Sequence, residues 1–254
     1  MSDSSIFTPF SNLKKLETEC GANWTAFTDV ETTTAQKEAE LCELLAETAP
    51  ERHFSADGAR KVPRFLVNDF IRYWRTICVD YAAKHWDQGG AKWAIRNAKL
   101  RFSRKLLGAV GLAFCYSCEL DPPESECKHL ELFPLPNTPS AEPFIEAGIA
   151  FARTPPLDYL AAFIESFVEE ESKRQSIAND VFGSYNDWLT LLNDSASRSH
   201  LEDLSHREAK DGDPVFQEVR NMSTSFARGL KRLFFNRTED NDPIANLSLE
   251  YVGF

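Results

Sequence analysis

The step pattern Leu66, Phe70, Trp74, Ile77, Tyr81 constrains this chain more than any other feature of its sequence. Its spacings of four, four, three and four put five apolar side chains on one face of an α-helix, because residues three and four apart are surface neighbours. Pro63 opens that helix, where its missing N–H costs least, and Gly89-Gly90 ends it after about Trp86. The period resumes at Lys92 and continues to about Tyr116, with Arg96, Leu100, Ser103, Leu107 and Val110 in line. Two long helices joined by so short a loop are expected to pack as an antiparallel hairpin. Gly108 and Gly111 are expected to allow close helix approach there.

Helical patterns fill most of what remains. Leu13–Glu19 and Ala35–Thr48 are expected as short N-terminal helices, the second capped by Thr32-Thr33-Thr34 and stopped by Pro50. Beyond Leu120–Pro143, which holds six prolines and reads as a long connection, helices are expected over Ala141–Arg153, Pro156 to about Gln175, around Trp188, Ala196–Lys210 and Val215 to about Asn236. After Asn236 the chain reads as a turn-rich tail, with Leu247–Tyr251 its one stretch resembling a strand. The expected fold is all-α: a helical bundle domain over 59–237 built around the hairpin, an irregular segment over 1–58, and a tail over 238–254.

Charge is distributed unevenly. Residues 60–105 carry twelve Lys and Arg against three Asp, a net of +9, while the remaining 16 basic and 36 acidic residues give −20. A nucleic-acid-binding domain is usually basic overall. Here the cationic element either meets a phosphate-bearing ligand or pairs with the acidic remainder of the same chain. Glu165–Glu171 is the densest acidic run available for such pairing.

The longest apolar run, Leu106–Cys118, is about a dozen residues, short of the roughly 20 that span a bilayer. No membrane association is expected. Met1-Ser-Asp-Ser-Ser lacks the basic and apolar regions of a secretion signal, so a cytoplasmic location with reduced thiols is expected for the six cysteines. Cys115, Cys118, Cys127 and His129 could supply four zinc ligands, but the second pair is too close for a usual spacing. Cys115 and Cys118 read instead as small buried hydrophobes.

The sequence holds no P-loop, dinucleotide-binding glycine pattern, H-E-x-x-H or nucleophile elbow, and its five histidines are dispersed. No catalytic residue is assigned. The segments Phe65-Leu-Val-Asn-Asp-Phe-Ile-Arg-Tyr-Trp-Arg-Thr76 and Trp93-Ala-Ile-Arg-Asn-Ala-Lys-Leu-Arg-Phe-Ser-Arg-Lys-Leu106 do carry a resemblance. They resemble the helical region that follows the catalytic domain in bacterial nucleotidyltransferase-like proteins of the polymerase-beta superfamily.

In that family a Gly-Ser turn and an Asp-x-Asp, upstream of this region, hold Mg²⁺ for nucleotidyl transfer. The residues before Pro63 contain neither motif. Gly183-Ser184 is followed by Asp194, but residue 196 is Ala; Asp211-Gly-Asp213 and Asp240-Asn-Asp242 lack the turn and read as loop acids. The resemblance therefore implies a non-catalytic accessory or substrate-binding module. Its partners would be a nucleotide or nucleic acid and a catalytic nucleotidyltransferase chain, with Mg²⁺ only where that chain is present. Arg72, Arg75, Arg96, Lys99 and Arg104 are its expected phosphate ligands, oriented by Asn68 and Asp69, with Tyr73, Trp74 or Trp93 for stacking. The alternatives are a structural or protein-interaction domain with internally paired arginines and, more remotely, an active Mg-dependent nucleotidyltransferase.

Overall fold

A computed structural model describes residues 61–87, 92–121, 129, 132–134, 142–235 and 242–252. The expectations for 1–58 and for the Gly89-Gly90 break lie outside them. The protein is all-α, with no strand among the described residues. Its helices are α1 (Arg64–Asp87), α2 (Trp93–Lys99), α3 (Lys105–Ser117), α4 (Glu142–Arg153), α5 (Pro156–Phe167), α6 (Glu171–Ala178), α7 (Ser184–Asn193), α8 (Ser195–Asp203), α9 (His206–Lys210), α10 (Pro214–Phe235) and α11 (Pro243–Tyr251). Two π-helical turns interrupt this order, Leu100–Arg104 between α2 and α3 and Asn179–Gly183 between α6 and α7.

The chain divides into two compact units, Met1–Tyr73 with Val110–Phe167, and Trp74–Ala109 with Val168–Phe254. In the first, Leu66, Val67 and Phe70 of α1 are buried, as are Val110, Ala113, Phe114 and Tyr116 of α3 and Tyr159, Leu160, Phe163 and Ile164 of α5. Phe151 joins two of these helices, its ring centroid 4.7 Å from Phe114 and 4.9 Å from Tyr159. The Val62 N–H donates to the Glu119 carboxylate at 2.9 Å. Burial holds the Cys115 thiol well above its ordinary pKa, so it stays protonated, a neutral core group and a poor metal ligand. Cys118 is buried, His129 pairs with Glu165 at 3.3 Å, and Cys127 lies outside the described residues.

The second unit forms around α10. Its buried stripe, Phe216, Val219, Ser223, Phe226, Leu230 and Leu233, follows the helical period expected from Val215 onward. Gly229 lets α10 meet the second π turn closely, because a Cβ there would lie 2.7 Å from Val181 Cγ2. Arg228 and Arg232 of α10 close on Asp180 in the same turn, at 2.6 and 2.8 Å. Arg228 is also the chief cause holding the Asp180 carboxyl below its ordinary value.

Three expectations are corrected. The helix expected from Pro156 to Gln175 breaks at 168–170 and restarts at Glu171. That places the acidic run at a helix N-terminus, where open N–H groups favour carboxylates. Ala196–Lys210 is also two helices, because Ser205 and Glu208 form a reciprocal capping box that starts α9. The turn-rich tail contains α11: Asp242 caps it by accepting the Ala245 N–H at 3.1 Å, Pro243 stands at its first position, and Lys173 pairs with Asp242.

The two glycines of α3 differ. At Gly111 a Cβ would overlap the buried Phe70 ring, whereas at Gly108 the nearest atom, Trp74 Cε3, lies 4.0 Å away. Gly111→Ala should therefore lose about 1–3 kcal/mol in urea unfolding through overpacking. Gly108→Ala should instead gain up to about 1 kcal/mol from helix propensity.

Candidate anion site of the second unit

The expected ligand-binding residues are split between the two units. Asn68, Asp69, Arg72 and Tyr73 belong to the first. Asn68 is exposed, Tyr73 half-buried, and Asp69 buried with Arg72 3.8 Å away, the orienting pair expected from their spacing. The second unit holds Arg75, Trp93, Arg96, Lys99 and Arg104. Arg75 and Lys99 are exposed. Arg96 donates to the Lys84 carbonyl at 3.5 Å, and Arg104 lies 4.0 Å from Asp80, which Lys84 approaches more closely at 3.2 Å. Trp93 packs against His206 and Phe216, with ring centroids 4.6 and 5.2 Å apart, so its ring is already engaged within the fold.

One cation tied into the fold, Arg101, lies outside the residues singled out from the sequence. Arg101 lies in the first π turn beside Phe102, whose side chain is fully buried. The Phe102 ring stacks on Trp188 at 5.1 Å with 8° between planes, and lies 5.4 Å from Phe226 and 6.0 Å from Tyr185. Ser103 is fixed as well, accepting a hydrogen bond from the Tyr185 hydroxyl at 3.2 Å. The two residues that follow Arg101 in the chain are thus both tied into the packing of this unit.

A chain of hydrogen bonds then holds its guanidinium. Asn97 Nδ2 donates to the Tyr81 oxygen at 3.0 Å, and Asn97 Oδ1 accepts from Arg101 Nε at 2.6 Å. Arg101 Nη1 donates to Ser223 Oγ at 3.3 Å, and that hydroxyl donates to the Arg220 carbonyl at 2.9 Å. Four elements thus converge on one side chain: α1, α2, the π turn and α10.

These contacts are neutral, and the charges nearby are of like sign. Partial burial pushes the Arg101 guanidinium below its ordinary pKa, and Arg220 adds to the fall. Lys105, one helical step further on, is lowered in the same way by burial and then by Arg101. Among the described residues, the groups opposing these shifts are Tyr81 for Arg101 and Cys78 for Lys105. Burial raises both of those, so both stay neutral at pH 7. No carboxylate among the described residues counters Arg101 or Lys105. Partly desolvated cations whose described neighbours are neutral are costly to hold.

Three of the acids weighed against the Asp-x-Asp pattern, Asp194, Asp213 and Asp242, cap helices. Asp194 accepts the Ser197 N–H at 2.8 Å at the start of α8, and Asp213 accepts the Phe216 N–H at 2.8 Å at the start of α10. Among the described residues no group of three or more His, Cys, Asp or Glu is placed to hold a metal ion. No helix of the described residues is long and apolar enough to cross a membrane. Comparison with protein-family models, with curated proteins and with solved structures finds no match.

The cost of the site has a measurable sign. Because Lys105 has a lowered folded pKa, its charged form subtracts from stability at neutral pH. That penalty is relieved as pH rises through the lowered value and is gone above the ordinary 10.5, since the unfolded chain binds the extra proton in between. Lys105→Met should therefore be more stable than the parent at pH 7 in urea unfolding followed by circular dichroism. The gap should narrow towards pH 10.5; a gap independent of pH would contradict this account.

Proposed function

We propose that this chain is a helical module that positions a phosphate-bearing ligand through arginine and lysine, without catalysing a reaction itself. The observation that carries the reading is the pair of half-buried cations, Arg101 and Lys105, that no described carboxylate counters. Such a pair is costly to hold among neutral neighbours, which supports an anion as its partner. Arg101 suits this task because two of its nitrogens are already fixed by Asn97 and Ser223. The rest of its planar fork remains for phosphate oxygens.

The resemblance of 65–76 and 93–106 to the accessory region of nucleotidyltransferase-like proteins supplies the context of this proposal: the ligand would be presented to a catalytic chain carrying its own Mg²⁺. Within the second unit, Lys84 meets Arg96, Tyr81 meets Asn97, Asp80 meets Arg104 and Trp74 faces Gly108. This descending order against ascending order supports the antiparallel hairpin as the frame of the site. The exposed Arg75 and Lys99 are then outer contacts, and Arg101 and Lys105 inner ones.

A second reading, an interaction domain with internally paired arginines, is favoured by Arg72 beside Asp69 and by Arg228 and Arg232 on Asp180. Isothermal titration with inorganic pyrophosphate at two salt concentrations separates the two. The first reading predicts binding at low salt that weakens as salt rises, and a loss of about tenfold or more in Arg101→Ala. The second predicts no binding by parent or variant, with Arg96→Ala lowering the melting temperature.

A further inference from the structure

We infer that Asn97 is the residue that makes Arg101 select an anion: its neutral amide fixes the guanidinium in place while leaving the positive charge for a ligand. This rests on the phosphate-binding reading above and names the side chain on which the selection turns.

The amide is oriented from both ends. Asn97 Oδ1 accepts from Arg101 Nε at 2.6 Å, and Asn97 Nδ2 donates to the Tyr81 oxygen at 3.0 Å. A guanidinium only donates, so turning the amide over would set N–H against N–H. On the other side of the guanidinium, Ser223 Oγ accepts from Arg101 Nη1 at 3.3 Å and donates to the Arg220 carbonyl at 2.9 Å. Both grips on Arg101 are therefore neutral.

The hydrogen bonds at this position would admit a carboxylate as readily as the amide. Asp has the shape of Asn, Arg101 Nε would donate to one of its oxygens, and the Tyr81 hydroxyl can turn its proton towards the other. The bond to Arg101 would then be charge-assisted and stronger. Arg96 and Lys99, close by in the sequence, would favour the added negative charge. For holding the fold alone, a carboxylate would serve better than the amide.

The other π turn shows the contrast. There Asp180 accepts from Arg228 Nε and Nη2 at 2.9 and 2.6 Å and from Arg232 Nη1 at 2.8 Å. Where arginines tie α10 to that turn, this fold supplies a carboxylate. Arg101 is tied to α2 and α10 by an amide and a hydroxyl instead. The stability forgone at Asn97 is matched by a charge kept open for an anion, the usual tension between stability and function at a site.

The test combines isothermal titration of the full chain with inorganic pyrophosphate at low salt and thermal melting followed by circular dichroism. Asn97→Asp should melt about 2–4 °C higher, because a neutral contact becomes a partly buried ion pair. It should also bind pyrophosphate about tenfold or more weakly, because the new carboxylate holds the charge that the ligand needs. Asn97→Ala should lower both stability and affinity, since the grip and its hydrogen bond are lost together. Asn186→Asp adds the same charge at an exposed position of α7 and should change binding by about twofold at most. An Asn97→Asp protein that binds pyrophosphate as the parent does, melts lower than the parent or fails to fold would overturn the role given to Asn97 and leave phosphate binding standing. An equal loss of affinity in Asn186→Asp would do the same. A parent protein that binds no pyrophosphate would overturn both.

Discussion

The second unit depends on the burial of Phe102. A fully buried Phe contributes about 1.5–3 kcal/mol by area, and its stacking on Trp188 with the flanking rings of Tyr185 and Phe226 adds about 0.5–1.5 kcal/mol per pair. This packing falls within a π turn, a rare element inside α-helices. The π turn in turn sets Arg101 where Asn97 and Ser223 can grip it. Packing energy gained by one residue therefore offsets the desolvation imposed on the next.

Several carboxylates among the described residues are engaged away from Arg101 and Lys105. Asp194, Asp213 and Asp242 cap helices, Asp80 pairs with Lys84, and Asp180 takes both Arg228 and Arg232. Glu171, in the run that looked most available to the basic helices, pairs with Arg174 on its own helix. The asymmetry visible in the sequence thus persists locally at Arg101 and Lys105, while Arg72 and Arg104 have carboxylates within 4.0 Å.

What could be read from the sequence follows this division. The helical periods of α1 and α10 were legible because each buries one apolar stripe, and stripes are local. The breaks at Ser205 and Asp242-Pro243 carried recognisable capping signals that the helical period overshadowed. The π turn was not legible. It widens one turn and re-phases the faces, so the alignment of Arg96, Leu100, Ser103, Leu107 and Val110 on a regular helix passed over Arg101. The spacing of Asn97, Arg101 and Lys105, four and four, was the available clue. Ser223 and Arg220 could not be found that way, since their meeting with Arg101 crosses more than a hundred residues and is set by the packing of α10.

The most direct test of the central claim is to locate an anion on the protein. Crystals soaked in tungstate, a tetrahedral dianion with the shape of phosphate, would reveal its position by anomalous scattering. The account predicts a leading anomalous peak within hydrogen-bonding distance of Arg101 and Lys105, absent in Arg101→Gln. Peaks confined to other basic residues, with the Arg101 site empty, would contradict it.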